Sequence, residues 1–391
     1  MNVKHTIIPI IAIILTSFNL RPAITSVSPL LGTIRESLHM SAASSSLLTS
    51  LAVLCMGLFA PFAIKLANRF SIERAIAYSL ILIGLATAAR FFAYYAWVML
   101  LTAFLAGIGI AIAGPLLSGF IKQNFTNPSR VVGIYSLALV VGASLGSGLS
   151  IPLSSLFHTW QASAASWAIL AVIAVFFWWK PIEKMPVTNT VSDTSSADNN
   201  LKQLLTDQKA WLLTVFFGLM AFMFYTIMAW LPPIVEDMGY SKQQAGMMLT
   251  LLTVAQMPAT FLVPILNNRL QHRAVWLVGC SSLELIGLFL LLFSVNPWLS
   301  SLLIGIGAGG LFSLGLTLPI DEAKNIKEAS ILAAMTQSVG FVFAALGPLF
   351  VGLVRDYTGN FTAAIIGMVV IVIAMILIQI KLGNQKHQQI K

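Results

Sequence analysis

Twelve apolar segments recur along the sequence in two sets of six, and this pattern constrains the fold more than any other feature. Each segment has at least about 18 residues, and a helix that rises roughly 1.5 Å per residue then crosses a hydrocarbon core of about 30 Å. Only 9% of the 391 residues are charged and 58% are hydrophobic, whereas soluble domains carry about 25% charged residues. The sequence therefore predicts an all-α protein embedded in the lipid bilayer. The predicted spans are residues 7–33, 43–65, 75–92, 96–121, 131–155 and 160–179, then 210–235, 243–267, 273–294, 297–319, 329–354 and 360–381.

A single long polar stretch separates the two sets of spans. Residues 180–209 are rich in Ser, Thr, Asp and Asn, a composition typical of a flexible linker. We therefore predict an N-terminal six-helix bundle over residues 1–179 and a cytoplasmic linker over residues 180–209. A C-terminal six-helix bundle with a short cytoplasmic tail follows over residues 210–391.

The distribution of Lys and Arg predicts the orientation. With both termini in the cytoplasm, seventeen basic residues lie inside, four lie outside, and Arg21 lies within the membrane, which accounts for all 22. The outer four are Arg35, Arg90, Lys242 and Arg355. The positive-inside rule thus predicts a multi-pass protein of the cytoplasmic membrane with both termini cytoplasmic. Because the net charge of +9 is spread thinly, it does not indicate a nucleic-acid partner.

The two halves of the chain resemble each other in sequence. The pattern Leu-Thr-x-Leu-x-Val-x-x-Met occurs at residues 48–56 and again 201 positions later at residues 249–257. Gly-Ile-Gly at 107–109 recurs at 305–307, and Gly142 recurs as Gly340. A parallel duplication of six spans is typical of a transporter that binds its solute between the halves, near the midplane.

Arg21 lies in the middle of the first predicted span, within Phe18-Asn19-Leu20-Arg21-Pro22. An arginine at that depth costs at least about 2.5–3.5 kcal/mol and keeps its charge. Pro22 has no N–H to donate, so it leaves the Phe18 carbonyl free. Arg21 either locks helices together or binds an anion in a transport cavity, and we expect Arg21 and Asn19 to be central to solute binding.

Five further polar or aromatic residues lie within predicted spans: Tyr135, Tyr225, Trp230, Gln256 and Gln337. Buried amides need partners, and aromatic rings offer both faces and donors. Each of these residues is a candidate for solute binding, with interhelical hydrogen bonding or anchoring at the membrane interface as the alternative.

Glu284 is the only acidic residue deep within a predicted span. A carboxyl in such surroundings suits reversible proton binding, so Glu284 is the candidate for proton coupling, with a structural role as the alternative. Transport by uniport or by anion exchange, controlled by Arg21, needs no such group. The pairs Glu236-Asp237 and Asp321-Glu322 fall at helix ends, where we expect them to be solvated.

Two sequence signatures of enzymes are missing: the chain has no Gly-x-x-x-x-Gly-Lys and no His-Glu-x-x-His motif. Its five histidines lie near termini or loops, and Cys55 and Cys280 lie within predicted spans. We therefore expect a monomeric, non-enzymatic protein without a catalytic site, metal or cofactor.

Several stretches resemble the major facilitator superfamily. Residues 64–71 resemble its Gly-x-Leu-Ala-Asp-Arg-x-Gly signature, although both glycines and the acid are replaced. Within the superfamily the chain is similar to the cyanate and nitroimidazole permease branch. The stretches that carry this second resemblance are Asn19-Leu20-Arg21-Pro22, Ile121-Lys122 with Phe125, Ala229-Trp230-Leu231-Pro232, Gln256, Gln337 and Gly359-Asn360.

The resemblance implies two pseudo-symmetric six-helix bundles, alternating access and a small, anionic or polar solute. It leaves open a proton-coupled exporter of drug-like compounds or nitroheterocycles, for which the aromatic residues of the seventh and eighth spans matter more. A membrane sensor or scaffold is a non-transport alternative, which the absence of a sizeable soluble domain disfavours.

Overall fold

The computed structural model describes residues 4–125, 128–182, 206–270, 272–323 and 326–383, and these residues are helical apart from short turns. Twelve segments of the described chain are long and apolar enough to cross a membrane, which confirms the predicted number and position of spans. Most of the predicted linker, residues 183–205, lies outside the described residues. The spans are Pro9–Ser37, Ala42–Phe70, Ile72–Phe92, Ala96–Ile121, Val131–Phe157, Trp160–Trp178, Gln208–Asp237, Lys242–Asn267, Arg273–Leu292, Pro297–Pro319, Ile331–Thr358 and Thr362–Leu382.

Sixteen α-helices build these spans in the described chain. In the first half they are α1 (Lys4–Leu20), α2 (Pro22–Thr25), α3 (Leu31–Ser37), α4 (Ala42–Phe70), α5 (Ile72–Ala89), α6 (Ala96–Asn124), α7 (Pro128–Phe157), α8 (Trp160–Ser166) and α9 (Ala168–Ile182). In the second half they are α10 (Gln208–Asp237), α11 (Lys242–Leu270), α12 (Arg273–Leu292), α13 (Pro297–Glu322), α14 (Ile326–Ala344), α15 (Leu346–Thr358) and α16 (Thr362–Gly383). Short 3₁₀ turns at Ser28–Leu30 and Arg90–Phe92 complete the first and third spans.

The first span is broken at Arg21, where α1 ends and α2 begins. Pro22 occupies the first position of α2, where the missing N–H costs nothing. The backbone N–H groups of Ile24 and Thr25 both donate to the Arg21 carbonyl, each at 2.9 Å. Pro22 therefore begins a new helix, and the first span has a break between α1 and α2.

Contacts divide the chain into two compact units. The first comprises residues 1–191 together with 229–250, and the second comprises residues 192–228 with 251–391. Within the first unit, the segment 229–250 packs on α3 and α7: Lys242 Nζ donates to Thr33 Oγ1 at 2.8 Å, and the Ser147 and Thr250 hydroxyls lie 3.0 Å apart.

The sequence duplication reappears as duplicated helix packing. A Cβ placed on Gly142 of α7 would lie 3.0 Å from Phe18 O of α1. A Cβ placed on Gly340 of α14 would lie 2.5 Å from a ring carbon of Phe217 in α10. Corresponding glycines thus let corresponding pairs of helices, the fifth span on the first and the eleventh on the seventh, approach closely.

Ser71 occupies the last glycine position of the signature in the loop between α4 and α5. Its backbone has φ 76° and ψ 157°, a conformation that is essentially restricted to glycine. Its hydroxyl accepts a hydrogen bond from the Arg74 N–H at 3.5 Å. The backbone at Ser71 therefore adopts the conformation that favours glycine at this position of the signature, although the residue here is serine.

Two acidic residues at helix ends are more enclosed than predicted. Glu236 is half-buried beside Gly32, and its Oε1 has no hydrogen-bond partner among the described residues, whereas Asp237 is exposed. Glu322, at the end of α13, forms ion pairs with Lys209 and Arg273, and only 9% of its side chain is exposed. The prediction of a solvated role is therefore wrong for Glu322, because the ends of three helices converge on it.

The ion pairs determine the protonation of Glu322. Burial raises the pKa of this carboxyl, but hydrogen bonds and charges from Lys209 and Arg273 outweigh burial, so its pKa lies below the ordinary value. Arg273 Nη2 also donates to the Leu382 carbonyl at 3.0 Å. The cluster thus joins the ends of α10, α12, α13 and α16.

We predict that Glu322→Gln lowers the stability of the folded protein by about 1–3 kcal/mol at neutral pH, because it leaves Arg273 without its carboxylate. A depressed pKa contributes stability above the unfolded value of about 4.3, and this contribution is lost as the pH falls through the folded value. Melting temperatures of the purified protein between pH 7 and pH 3 should therefore converge for parent and variant at the acid end. Asp321→Asn, at the exposed neighbour, is the matched control with a smaller loss; equal losses, or a difference that does not change with pH, would contradict the assignment.

Candidate functional site

Arg21 lies at the junction of α1 and α2, with helical backbone angles of φ −103° and ψ −44°. Its side chain is half-buried, while Leu20 and the residues that follow from Pro22 to Leu31 are buried. At the break, the backbone N–H groups of Ile24 and Thr25 both donate to the Arg21 carbonyl. The charged side chain therefore branches from the first place at which this span loses its continuous α-helix.

The internal duplication shows that the fold does not require a charge at Arg21. Gly146 packs against Thr25, and Gly347 packs against Thr226, with both members of the second pair exactly one repeat of 201 residues later. In this register Arg21 corresponds to Phe222. The corresponding helix α10 runs without a break from Gln208 to Asp237, so the arginine and the break are specific to the first half.

Asn19 holds helices together through both of its amide hydrogens. Its Nδ2 donates to the carbonyl of Leu15 at 2.7 Å and to the carbonyl of Leu170 in α9 at 2.9 Å, and the residue is only 4% exposed. These contacts explain Asn19 as a residue that fixes α1 next to α9, two residues before the break at Arg21. They place Asn19 close to Arg21 in the chain but direct its donors into the helix bundle.

Tyr135 and Trp230 belong to the first unit. Tyr135 is half-buried on α7 and packs against the apolar cluster that contains Leu20 and Ile24, so it lies beside the same part of the first span as Arg21. Trp230, near the end of α10, is fully buried. An indole without exposed surface does not act as an anchor at the membrane interface.

Tyr225 lies in an aromatic cluster of the second unit. It is 2% exposed, and its ring meets Phe224 and Phe341 edge-on, with centroids 5.0 and 6.2 Å apart. Phe224 in turn stacks on Phe312 at 6.0 Å, and Phe341 contacts Phe217 edge-on at 5.4 Å. The sequence singled out Tyr225 but gave no signal for the phenylalanines, since their spacing is ordinary for apolar spans.

The two predicted amides, Gln256 and Gln337, differ in their surroundings. Gln256 of α11 is only 8% exposed, and its Nε2 has no hydrogen-bond partner among the described residues. Leaving a buried donor unpaired costs about 1–3 kcal/mol. Gln337 of α14 is half-buried. Gln256 therefore has donor capacity that the fold itself does not use.

Glu284 lies in a contact between helices. It is 2% exposed, with Oε2 lacking a partner among the described residues, and a Cβ on Gly307 of α13 would lie 2.8 Å from its Cγ. In the first half, Ile83 meets Gly109 in the same way, at 2.6 Å. Glu284 thus occupies the position of an apolar packing residue, wedged between α12 and α13.

Sequence reasoning counted Arg90 only among the four outer basic residues and did not identify it as buried. Arg90 lies at the end of the third span, and its side chain is only 1% exposed and donates to the Ala23 carbonyl at 2.8 Å. The signal that would have found it is the repeat, because the residue 201 positions later is Leu291.

Within the first unit, Arg21, Asn19 and Tyr135 gather around the break in the first span, whereas Trp230 lies on the segment from the second half of the chain. Within the second unit, Tyr225 belongs to the aromatic cluster, and Glu284 packs separately against α13. Across the described residues, no group of three or more His, Cys, Asp or Glu side chains is arranged to hold a metal ion.

Comparisons with known proteins give consistent results. The family model described as Major Facilitator Superfamily matches residues 11–348. The uncharacterized transporter YycB of Bacillus subtilis (strain 168) is 35% identical over 94% of this chain and 91% of its own length. The 2-nitroimidazole transporter of Escherichia coli (strain K12) is 30% identical over 98% and 97%, and the cyanate transport protein CynX of the same organism is 32% identical over 90% and 91%.

Among solved structures, a bacterial homologue of the human lysosomal transporter Spinster, crystallised in an inward-facing and unoccupied conformation, aligns with a TM-score of 0.77. The alignment covers 96% of both chains at 16% identity, a level at which the likeness concerns the fold. The predicted twelve-helix transporter fold is thereby confirmed.

We predict opposite stability effects for two amide substitutions. Asn19→Leu removes two hydrogen bonds to backbone carbonyls and should lower stability by about 1–3 kcal/mol. Gln256→Leu removes a buried donor that has no partner in the fold and should leave the melting temperature unchanged or raise it. Thermal unfolding of both variants in the same detergent compares them directly. A larger loss for Gln256→Leu than for Asn19→Leu would contradict these roles.

Proposed function

Because the chain belongs to the major facilitator superfamily, we propose that it carries a small anionic or polar solute across the bacterial cytoplasmic membrane by alternating access, with Arg21 as the principal binding group. Transport itself follows from family and fold. The observation that carries the assignment to Arg21 is a half-buried arginine at a helix break that the other half of the fold lacks.

The chemistry of the guanidinium favours a small solute with oxygen or nitrogen acceptors. Its planar fork donates two parallel hydrogen bonds and keeps its charge at any physiological pH. Relatives named for cyanate and for 2-nitroimidazole support this class of solute. Cyanate is an anion, and a nitro group presents two acceptor oxygens in one plane, so one guanidinium suits both.

Gln256 is our second candidate for direct contact, because its unpartnered amide offers a donor. Tyr135, Tyr225, Trp230 and Gln337 remain proposed contributors. We propose that Asn19 positions α1 against α9 and thereby fixes where the break and Arg21 lie.

An exporter of nitroheterocycles is the second candidate function. The aromatic cluster around Tyr225 in the second unit favours it, because flat heterocycles stack on aromatic rings. Loss of 2-nitroimidazole transport in Phe341→Ala, with Arg21→Gln remaining active, would favour this function over the first.

The arrangement in the membrane is part of the proposal. We propose that bundles of residues 1–179 and 210–391 are joined by a cytoplasmic linker, residues 180–209, that both termini are cytoplasmic, and that a monomer suffices for transport. The charge distribution of the sequence supports this orientation.

For coupling, we propose that the charge of the solute itself controls the carrier. Arg21 keeps its positive charge throughout transport, and a bound anion neutralises this charge, which lowers the electrostatic cost of enclosing the site. The alternative is proton coupling through Glu284. Its position in a contact between α12 and α13, where Ile83 packs in the other half, supports the first mechanism.

We predict that Arg21→Lys and Arg21→Gln reduce cyanate uptake into proteoliposomes roughly 10–100-fold, because each loses charge-assisted hydrogen bonds worth about 1.5–3 kcal/mol. Lysine keeps the charge without the planar fork, so Arg21→Lys also fails. Glu284→Gln is the control, with uptake close to that of the parent with or without an imposed pH gradient.

Melting temperatures are measured alongside uptake, so that a loss of transport is separated from a loss of folding. Normal uptake by both Arg21 variants would refute the binding role. Gradient-driven accumulation that vanishes in Glu284→Gln while binding persists would refute control by solute charge and make Glu284 the proton site.

A further inference from the structure

A second buried arginine, Arg90, meets the first span just beyond the break at Pro22. Its Nη2 donates to the Ala23 carbonyl at 2.8 Å. In a continuous helix that carbonyl would accept from the N–H of Val27, but Val27 instead donates to Ile24 O at 3.2 Å. Arg90 therefore supplies the donor that the broken helix fails to provide.

This single bond leaves most of the Arg90 guanidinium unsatisfied. Arg90 is 1% exposed, and its Nε and Nη1 atoms are buried without hydrogen-bond partners among the described residues. A guanidinium has five N–H donors and keeps its charge. The two ion pairs at Glu322 do not involve Arg90. A buried charge without a partner is costly, so Arg90 calls for a counter-charge.

Two buried hydroxyls lie about one helical turn along the chain from the residues that form the bond between Arg90 and Ala23. Thr87 precedes Arg90 by three residues and Ser26 follows Ala23 by three, so each lies on the helix face that this bond joins. Thr87 is 2% and Ser26 0% exposed, and the hydroxyl oxygens of both lack partners among the described residues. We refer to Ser26, Thr87 and Arg90 as the Arg90 cluster.

The duplicated half shows that the fold does not need polar groups in these three places. In the register of 201 residues, the counterparts of the Arg90 cluster are Ile227, Leu288 and Leu291. All three are buried, with exposures of 4%, 0% and 1%. Aliphatic side chains fill the equivalent positions, so the polar cluster is an addition to the scaffold with unused donors.

We propose that the Arg90 cluster binds a small monovalent inorganic anion of the size of chloride. One fixed positive charge balances one negative charge, and the two hydroxyls and the free guanidinium N–H groups supply neutral and charged donors. The near-complete burial of all three residues disfavours a large or multiply charged ligand. This site is separate from the solute site at Arg21, and the proposal does not depend on which solute the carrier moves.

A bound anion would stabilise the contact between the end of α5 and the start of α2. It neutralises Arg90, whose bond to Ala23 holds the segment directly after Arg21. A ligand that binds the folded state raises its stability in proportion to the logarithm of ligand excess. Anion binding is therefore visible as a chloride-dependent melting temperature.

The experiment measures the melting temperature of the purified full-length protein as chloride replaces gluconate at constant ionic strength, which keeps electrostatic screening equal. We expect the melting temperature of the parent protein to rise with the logarithm of the chloride concentration, by on the order of 2 °C at about tenfold excess over the dissociation constant. Arg90→Gln keeps a donor for the Ala23 carbonyl but removes the charge, so its melting temperature should not respond to chloride. Arg21→Gln is the matched control and should keep the full response.

A flat response of the parent, an unchanged response of Arg90→Gln, or a response lost in Arg21→Gln alone would each overturn the proposal. Diffraction from bromide-soaked crystals of the parent protein provides a second measurement that needs no variant. An anomalous peak within hydrogen-bond distance of the Arg90 guanidinium is expected. A map without a peak there overturns the proposal even if Arg90→Gln fails to fold.

Discussion

The permanent charge of arginine in a low-dielectric interior governs how the first span of this transporter is built. A carboxyl can escape the cost of burial by taking up a proton, but a guanidinium cannot. The chain places Arg21 where Pro22 already divides the helix, so the charged side chain leaves from a backbone that is no longer regular. Asn19 fixes the helix before the break, and Arg90 supplies a donor to the carbonyl after it. The break is thereby held from both sides while the side chain of Arg21 stays half-exposed.

The internal duplication separates what the fold needs from what function adds. Glycines at corresponding places bring the same pairs of helices together in both halves, as Gly109 with Ile83 and Gly307 with Glu284 illustrate. Those contacts need a small residue on one helix, because the neighbouring helix approaches within contact distance. In the repeat, Arg21 corresponds to Phe222 and Arg90 corresponds to Leu291. Because the repeat folds with aliphatic or aromatic residues in these places, packing alone does not explain the charges, and this supports the proposal that both arginines bind ligands.

Sequence alone was sufficient for features that depend on local composition and failed for those that depend on distant partners. The twelve spans were predictable because length and hydropathy decide whether a helix crosses a bilayer, and the offset of 201 residues revealed the repeat. The ion pairs of Glu322 were not predictable, because Lys209 and Arg273 reach it from two other helices. The burial of Arg90 was missed for the same reason: a position at the end of a span says nothing about which helix covers it. For the candidate site, Arg21 was found from its depth and its proline, whereas the bonding of Asn19 to α9 required the tertiary structure.

The central proposal is that Arg21 binds the solute and, through its permanent charge, prefers small anions to neutral molecules of similar size. Binding calorimetry on Arg90→Gln protein, in which the second arginine cannot contribute, tests it with cyanate, nitrite and formate against neutral formamide. At least one of the anions is predicted to bind ten times or more tighter than formamide, and adding Arg21→Gln is predicted to abolish that preference. Equal affinity for anions and formamide, or an anion preference that survives the loss of Arg21, would contradict the account.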